Sequence, residues 1–188
     1  MRTPRLRMVL VLLGVVIAVA AVATLPTRFR MYLNRRHVRM LYAGLRSENP
    51  HVRANALLLL VNPSSGRPHA GVELAVRALR SDPSAYVRSR ATITLEGRLI
   101  RSTVGQKEFW TGCVALARAA AQDSVPDVRF TASDALVNVV FRAKDRTPAF
   151  FEDNATALLR PYLAVTLRDA DIRVRGNAEG TLSLLDEH

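Results

Sequence analysis

The chain has 188 residues, 49% of them hydrophobic, and a formal net charge of +11. Its length suffices for one apolar anchor and one domain with a sizeable core. The single cysteine excludes an intramolecular disulfide and a thiolate metal cluster. A nucleic-acid partner is not expected despite the charge, because residues 1–44 hold eight arginines and no acidic residue, which places most of the positive excess outside the remaining sequence.

Residues 1–27 predict a basic tail followed by a single transmembrane anchor. Residues 8–25 are an unbroken uncharged run with arginines on both sides. Eighteen helical residues at ~1.5 Å each reach about 27 Å, close to the ~30 Å hydrocarbon core of a bilayer. The alternative is a cleaved signal peptide and export, because residues 18–20 and 21–23 are A-x-A sites. The larger number of arginines after the run favours the cytoplasmic side for residues 28–188.

One nine-residue pattern, V-R-x-x-A-x-x-x-L, occurs four times in residues 28–188, starting at Val52, Val87, Val128 and Val174. The starts are 35, 41 and 46 residues apart, a period typical of stacked repeats. The Val, Ala and Leu of each copy form a row along one helix face. Because one row is too narrow to make a core, we expect each copy to pack on the next.

Helix periodicity and breaker residues predict an all-α domain over residues 28–188. An opening helix covers 28–46. The four copies then give predicted helices at 50–61, 69–80, 83–101, 106–122, 125–144, 148–168 (kinked at Pro161) and 170–185.

A capping residue stands five positions before each motif valine: Ser47, Asp82, Asp123 and Asp169. Such side chains accept hydrogen bonds from free N–H groups at a helix start. In the last three copies the motif arginine follows the aspartate by six residues, and one charge-assisted bond per copy would fix the register as a ladder. The predicted ladder residues are Asp82, Arg88, Asp123, Arg129, Asp169 and Arg175, with Arg53 from the first copy.

The pattern D-x-x-x-x-V-R-x-x-A resembles HEAT repeats, in particular those of phycobilisome lyase-type proteins, over about residues 28–188. The resemblance implies a HEAT-like α-solenoid of about four repeats in which the aspartate and arginine are structural. Scaffolds, regulators and a few enzymes share this repeat. The expected function is therefore a membrane-anchored, non-catalytic adaptor that binds another protein, and the alternative is an enzyme similar to a bilin lyase or a DNA glycosylase.

No catalytic, cofactor or metal site is expected. Cys113 lies in an apolar helix and is interpreted as a core residue, and the four histidines have no H-x-x-H spacing. Trp110 has two interpretations, a core anchor and an exposed binding residue. The last helix has no partner helix after it, so Leu182 and Leu185 are predicted to lie on an open apolar face that a second copy or another protein covers.

Overall fold

The computed structural model describes residues 39–60, 68–101, 104–146, 148–151 and 157–186. The chain divides into two compact units, 1–40 and 41–188, and almost all of the first lies outside the described residues. The predicted anchor at 8–25 also lies outside them. None of the helices within the described ranges is both long and apolar enough to cross a bilayer.

Within the described ranges the second unit is helical and contains no strand, which confirms the all-α prediction for this part of the chain. Residues 39–44 are helical. The following helices are α1 (Pro50–Leu60), α2 (Pro68–Ser81), α3 (Ala85–Arg101), α4 (Gln106–Gln122), α5 (Pro126–Arg146), α6 (Arg160–Thr166) and α7 (Ile172–Asp186), with a 3-10 turn at Pro148–Phe151.

The prediction of one long helix over residues 148–168 was wrong. In place of a single helix over 148–168, the structure has the 3-10 turn and the short helix α6. Pro161 does not kink a helix, because it lies in the first turn of α6, where its missing N–H leaves no hydrogen bond unmade. Proline at this position starts the helix.

The helices form two rows. The motif helices α1, α3, α5 and α7 contact one another in chain order, and the intervening helices α2, α4 and α6 do the same. The motif valines at 87, 128 and 174 are buried between these rows, as are the motif alanines at 91, 132 and 178. The last three copies thus bury their valine and alanine, whereas Val52 of the first copy is 43% exposed.

An aromatic cluster joins α4 to the 3-10 turn. Phe109, only 1% exposed, has its ring centroid 5.2 Å from that of Trp110, 5.3 Å from that of Phe150 and 6.0 Å from that of Phe151. These tilted and edge-on arrangements are the favoured geometries for aromatic pairs. The cluster fixes the segment that replaces the predicted long helix.

Candidate functional site

Each motif arginine that has a following copy binds the aspartate at the start of that copy. Nε and Nη2 of the arginine each donate to one carboxylate oxygen, which is the bidentate geometry of the strongest ion pairs. The pairs are Arg53–Asp82 (both 2.8 Å), Arg88–Asp123 (2.7 and 3.0 Å) and Arg129–Asp169 (2.5 and 3.3 Å). All six side chains are largely shielded from solvent.

The same arginines also bind the backbone of their own copy. Nη1 of Arg88 donates to the carbonyl oxygen of Asp82 at 2.9 Å, and Nη1 of Arg129 donates to that of Asp123 at 3.1 Å. The six-residue spacing in the sequence therefore corresponds to a backbone contact within one copy. The ionic contact joins two successive copies.

Each ladder aspartate also accepts a hydrogen bond from the N–H two positions after it, in the turn that leads into the next motif helix, and not from the first turn of that helix as predicted. Oδ1 of Asp123 accepts a hydrogen bond from the N–H of Val125 at 2.9 Å. Burial acts to raise the pKa of Asp123, but the hydrogen bonds from Arg88 and Val125 outweigh burial and hold that pKa below its ordinary value. For Asp169 the bond from Arg129 is the main cause of a lowered pKa. The carboxylates are thus committed to structure in their charged form.

The ladder differs at its two ends. Ser47 stands at the aspartate position of the first copy, where its Oγ accepts a hydrogen bond from the N–H of Asn49 at 3.2 Å. In the fourth copy, Nη1 of Arg175 donates to the carbonyl oxygens of Asp169 and Ala170 at 2.7 and 3.1 Å. No carboxylate among the described residues lies against the Nε and Nη2 atoms of Arg175.

The expectation of an open apolar face on the last helix was wrong for Leu185. This side chain is 5% exposed, and Leu182 is half-buried and packs against the core. Of the two intervening helices beside it in the chain, α3 or α5 packs mainly against the one before it. In the same way, α5 and α6 precede α7 and cover its leucines. The sixth motif position, buried as Leu57, Thr92 and Ser133 in the earlier copies, is the exposed Glu179 in α7.

Trp110 is a core residue, so its interpretation as an exposed binding residue was also wrong. The side chain is 5% exposed, and its indole Nε1 donates to the carbonyl oxygen of Phe150 at 3.1 Å. One edge of Trp110 nevertheless lines the depression described next. Burial in the aromatic cluster holds the ring in place there.

A depression of about 450 Å³ opens on the row formed by α2, α4 and α6. Its apolar lining includes Val76, Val114, Leu158 and Tyr162. Leu158 is 53% exposed, a large fraction for a leucine. The cationic side chains of Arg80, Lys107 and Arg118 line the same depression and are exposed.

Two further depressions continue this one along the row. A depression of about 470 Å³ shares Arg80, Ala115 and Arg118 with the first. A third, of about 380 Å³, shares Gln122 with the second and extends to Arg168. We call this continuous surface the basic groove. Sequence analysis did not identify it, because its residues come from helices far apart in the chain and match no motif.

The ladder supports the floor of the basic groove. Asp82, Arg88 and Asp123 line its middle part, and Arg129 and Asp169 line its far end. The ladder pairs thus fix the spacing of the helix ends between which the groove runs.

Arg98 is a buried charged residue that the sequence did not single out. It is almost completely buried, and a Cβ built on Gly71 would lie 3.1 Å from its Nε, so glycine leaves the room that the guanidinium occupies. Burial lowers the pKa of Arg98, and the nearby charge of Glu108 opposes this shift. The contacts with α2 and α4 make Arg98 part of the core.

Cys113 is fully buried, and burial raises the pKa of its thiol far above the ordinary value. A neutral thiol enclosed by apolar side chains is inert. In the part of the chain that the structure describes, no group of three or more histidine, cysteine or acidic side chains is arranged to hold a metal ion.

Comparison with known proteins gives no relative. The chain matches no family model, and no match was found among the curated proteins or the solved structures.

Proposed function

We propose that this protein is a membrane-anchored adaptor of the HEAT-repeat type that binds a protein partner in the basic groove. The observation that carries the proposal is the groove itself. It is an open surface with an apolar floor and a cationic lining, and it extends along the row formed by α2, α4 and α6. Exposed apolar surface bordered by polar residues is typical of contact sites between proteins.

The ladder supports the HEAT-type part of the proposal. Four copies of one motif follow one another, and the same bidentate contact joins each copy to the next. In repeat proteins each unit contacts only its neighbours, and the row of units forms an extended binding surface. The groove lies on such a row.

The chemistry of the groove supports binding rather than catalysis. In its apolar part the charged lining consists of Arg80, Lys107 and Arg118, with no carboxylate. In its middle part the lining carboxylates belong to Asp82 and Asp123, and both already bind ladder arginines. A general base needs an available proton acceptor, and the lining residues of these two parts offer no such carboxylate.

The membrane part of the proposal rests on residues 8–25. We expect the full chain to sediment with membranes and to resist extraction with alkaline carbonate, because an apolar span of this length partitions into the bilayer core. A chain beginning at Arg28 is the control and should be soluble and helical. Recovery of the uncleaved full chain in the soluble fraction would contradict the anchor.

A photo-crosslinker tests where the partner binds. We expect benzoylphenylalanine at position 158 to crosslink the full chain to a discrete partner in its native cells, because Leu158 is 53% exposed inside the groove. The matched control is position 59, since Leu59 is 47% exposed but lies on α1, outside the groove. Equal crosslinking from both positions, or none from position 158, would rule against the groove as the partner site.

A further inference from the structure

We infer that the basic groove recognises an acidic amphipathic segment of a partner protein. This inference rests on the proposed adaptor function and specifies the chemistry of its partner. The carboxylates of the segment would pair with Arg80, Lys107 and Arg118, and its apolar side chains would cover Val76, Val114, Leu158 and Tyr162.

The three groove cations lack an acidic partner among the described residues. Arg80, Lys107 and Arg118 form no ion pair with any carboxylate that the structure describes, and the side chain of Arg118 contacts only the amide oxygen of Gln122, at 3.2 Å. Complementary charge across an interface sets register and accelerates association. A segment with carboxylates is therefore favoured over a basic or neutral one.

Several arginines outside the groove already form ion pairs or stack on aromatic rings. Arg173 pairs with Asp171 and stacks 4.2 Å above the ring of Phe130. Arg90 lies over the ring of Tyr86, and Arg142 lies over that of Phe141. The three groove cations have no such contact among the described residues. They are thus placed to bind a ligand.

The apolar floor of the groove favours a ligand that also has apolar side chains. Val76, Val114 and Tyr162 are half-buried, and Leu158 is more exposed than they are. Covering this floor removes apolar surface from water, at ~25 cal/mol per Å². A phosphate or a nucleic-acid backbone would pair with the cations but would leave the floor in water, whereas an amphipathic peptide satisfies both.

The length of the groove favours a polypeptide segment over a small molecule. The apolar part continues past Arg80 and Arg118 into the two polar depressions, which reach Gln122 and Arg168. A small molecule would fill only one part of it. A polypeptide segment can follow all three parts, with its apolar residues in the first and its polar residues in the others.

The test uses the full chain in lipid nanodiscs and two fluorescent peptides of 18 residues each. One is an amphipathic Glu/Leu helix, and the other carries Lys in place of every Glu. We expect the Glu/Leu peptide to bind and the Lys/Leu peptide not to bind. The R80E/R118E variant should weaken binding of the Glu/Leu peptide by about tenfold or more, since each rim charge contributes modestly and reversal makes it repulsive.

Matched variants separate the groove from total charge. R90E/R142E makes the same charge change outside the groove and should leave the affinity unchanged. R80K/R118K keeps both charges and should retain most of the binding, and an unchanged helical circular-dichroism spectrum of R80E/R118E shows that its loss of binding does not come from misfolding. Raising the salt concentration should weaken binding to the wild-type chain more than binding to R80E/R118E.

Three results would overturn the inference. They are equal binding of the two peptides, equal weakening by R80E/R118E and R90E/R142E, and complete displacement of the Glu/Leu peptide by anionic lipid vesicles, which would identify the groove as a lipid site. A specific crosslink from position 158 together with no preference for the Glu/Leu peptide would leave the adaptor proposal standing and would reject only the acidic partner.

Discussion

The Asp123→Ala variant is expected to lower the free energy of unfolding by about 3 kcal/mol. Removing one partner of a buried ion pair leaves the other charge uncompensated, at about 3–5 kcal/mol, and the loss of one further hydrogen bond costs about 0.5–1.5 kcal/mol. Asp123 makes both contacts, with Arg88 and with the N–H of Val125. The expected total lies at the lower end of the ion-pair range, because the Arg88 side chain remains 13% exposed to water. Denaturant unfolding followed by the fluorescence of Trp110, the single tryptophan, measures the change.

Two variants control this experiment. Asp171→Ala removes a carboxylate whose arginine partner is mostly exposed but which caps α7 by accepting the N–H of Arg173 at 2.9 Å, so it should lower stability by the cost of one lost helix cap, less than Asp123→Ala. Asp123→Asn keeps an oxygen for the hydrogen bond from the N–H of Val125 but loses the charge. Because the folded pKa of Asp123 lies below the ordinary 3.8, its stabilisation is complete above about pH 4 and is lost as the pH falls through the folded value. The Asn variant should lose this part of the acid sensitivity, and equal stability of Asp123→Ala and Asp171→Ala would refute the structural role.

The Phe109→Ala variant is expected to be at least as destabilised, by about 3–5 kcal/mol, the range for removing a buried phenylalanine ring. Phe109 contacts the rings of Trp110, Phe150 and Phe151. Its loss leaves a cavity where α4 meets the 3-10 turn and removes two of the three ring contacts between them. We expect a lower midpoint of denaturant unfolding and a red-shifted emission from Trp110, whose environment opens to water.

Phe141→Ala is the matched control for this cavity. The same ring is removed, but Phe141 is 52% exposed, so the expected change is less than about 1 kcal/mol. If both variants lost the same stability, the aromatic cluster would not be the element that holds the 3-10 turn. An unchanged emission spectrum in Phe109→Ala would contradict the cavity in the same way.

The helices could be predicted because their signals are local. The helix predicted over 106–122 has the bounds of α4 in the structure, and prolines mark the first residues of α1 and α5. The segment 148–168 could not be predicted, because its path depends on ring contacts between Phe150 or Phe151 and residues about 40 positions earlier in the chain.

The pairing partners in the ladder are likewise non-local. The sequence shows an aspartate and an arginine six positions apart, whereas the ion pairs join residues 29, 35 and 40 positions apart. Leu185 was misjudged for a related reason. Periodicity shows that a helix face is apolar but does not show whether the preceding or the following helix covers it. The basic groove has no local signal, since Arg80 lies on α2 whereas Lys107 and Arg118 lie on α4, and α3 separates the two in the chain.

The ladder gives the stack a direction, and this has a consequence for self-assembly. Contacts between the head of one molecule and the tail of the next generate open filaments unless they close into a ring. Such a contact between two copies of this chain would bring Ser47 to Arg175, and a hydroxyl cannot replace the carboxylate that binds each of the other motif arginines. The exposed Glu179 replaces the apolar or small residue that the earlier copies bury at that position. One serine and one glutamate thus make a ladder-type contact between two chains less favourable than the same contact within one chain.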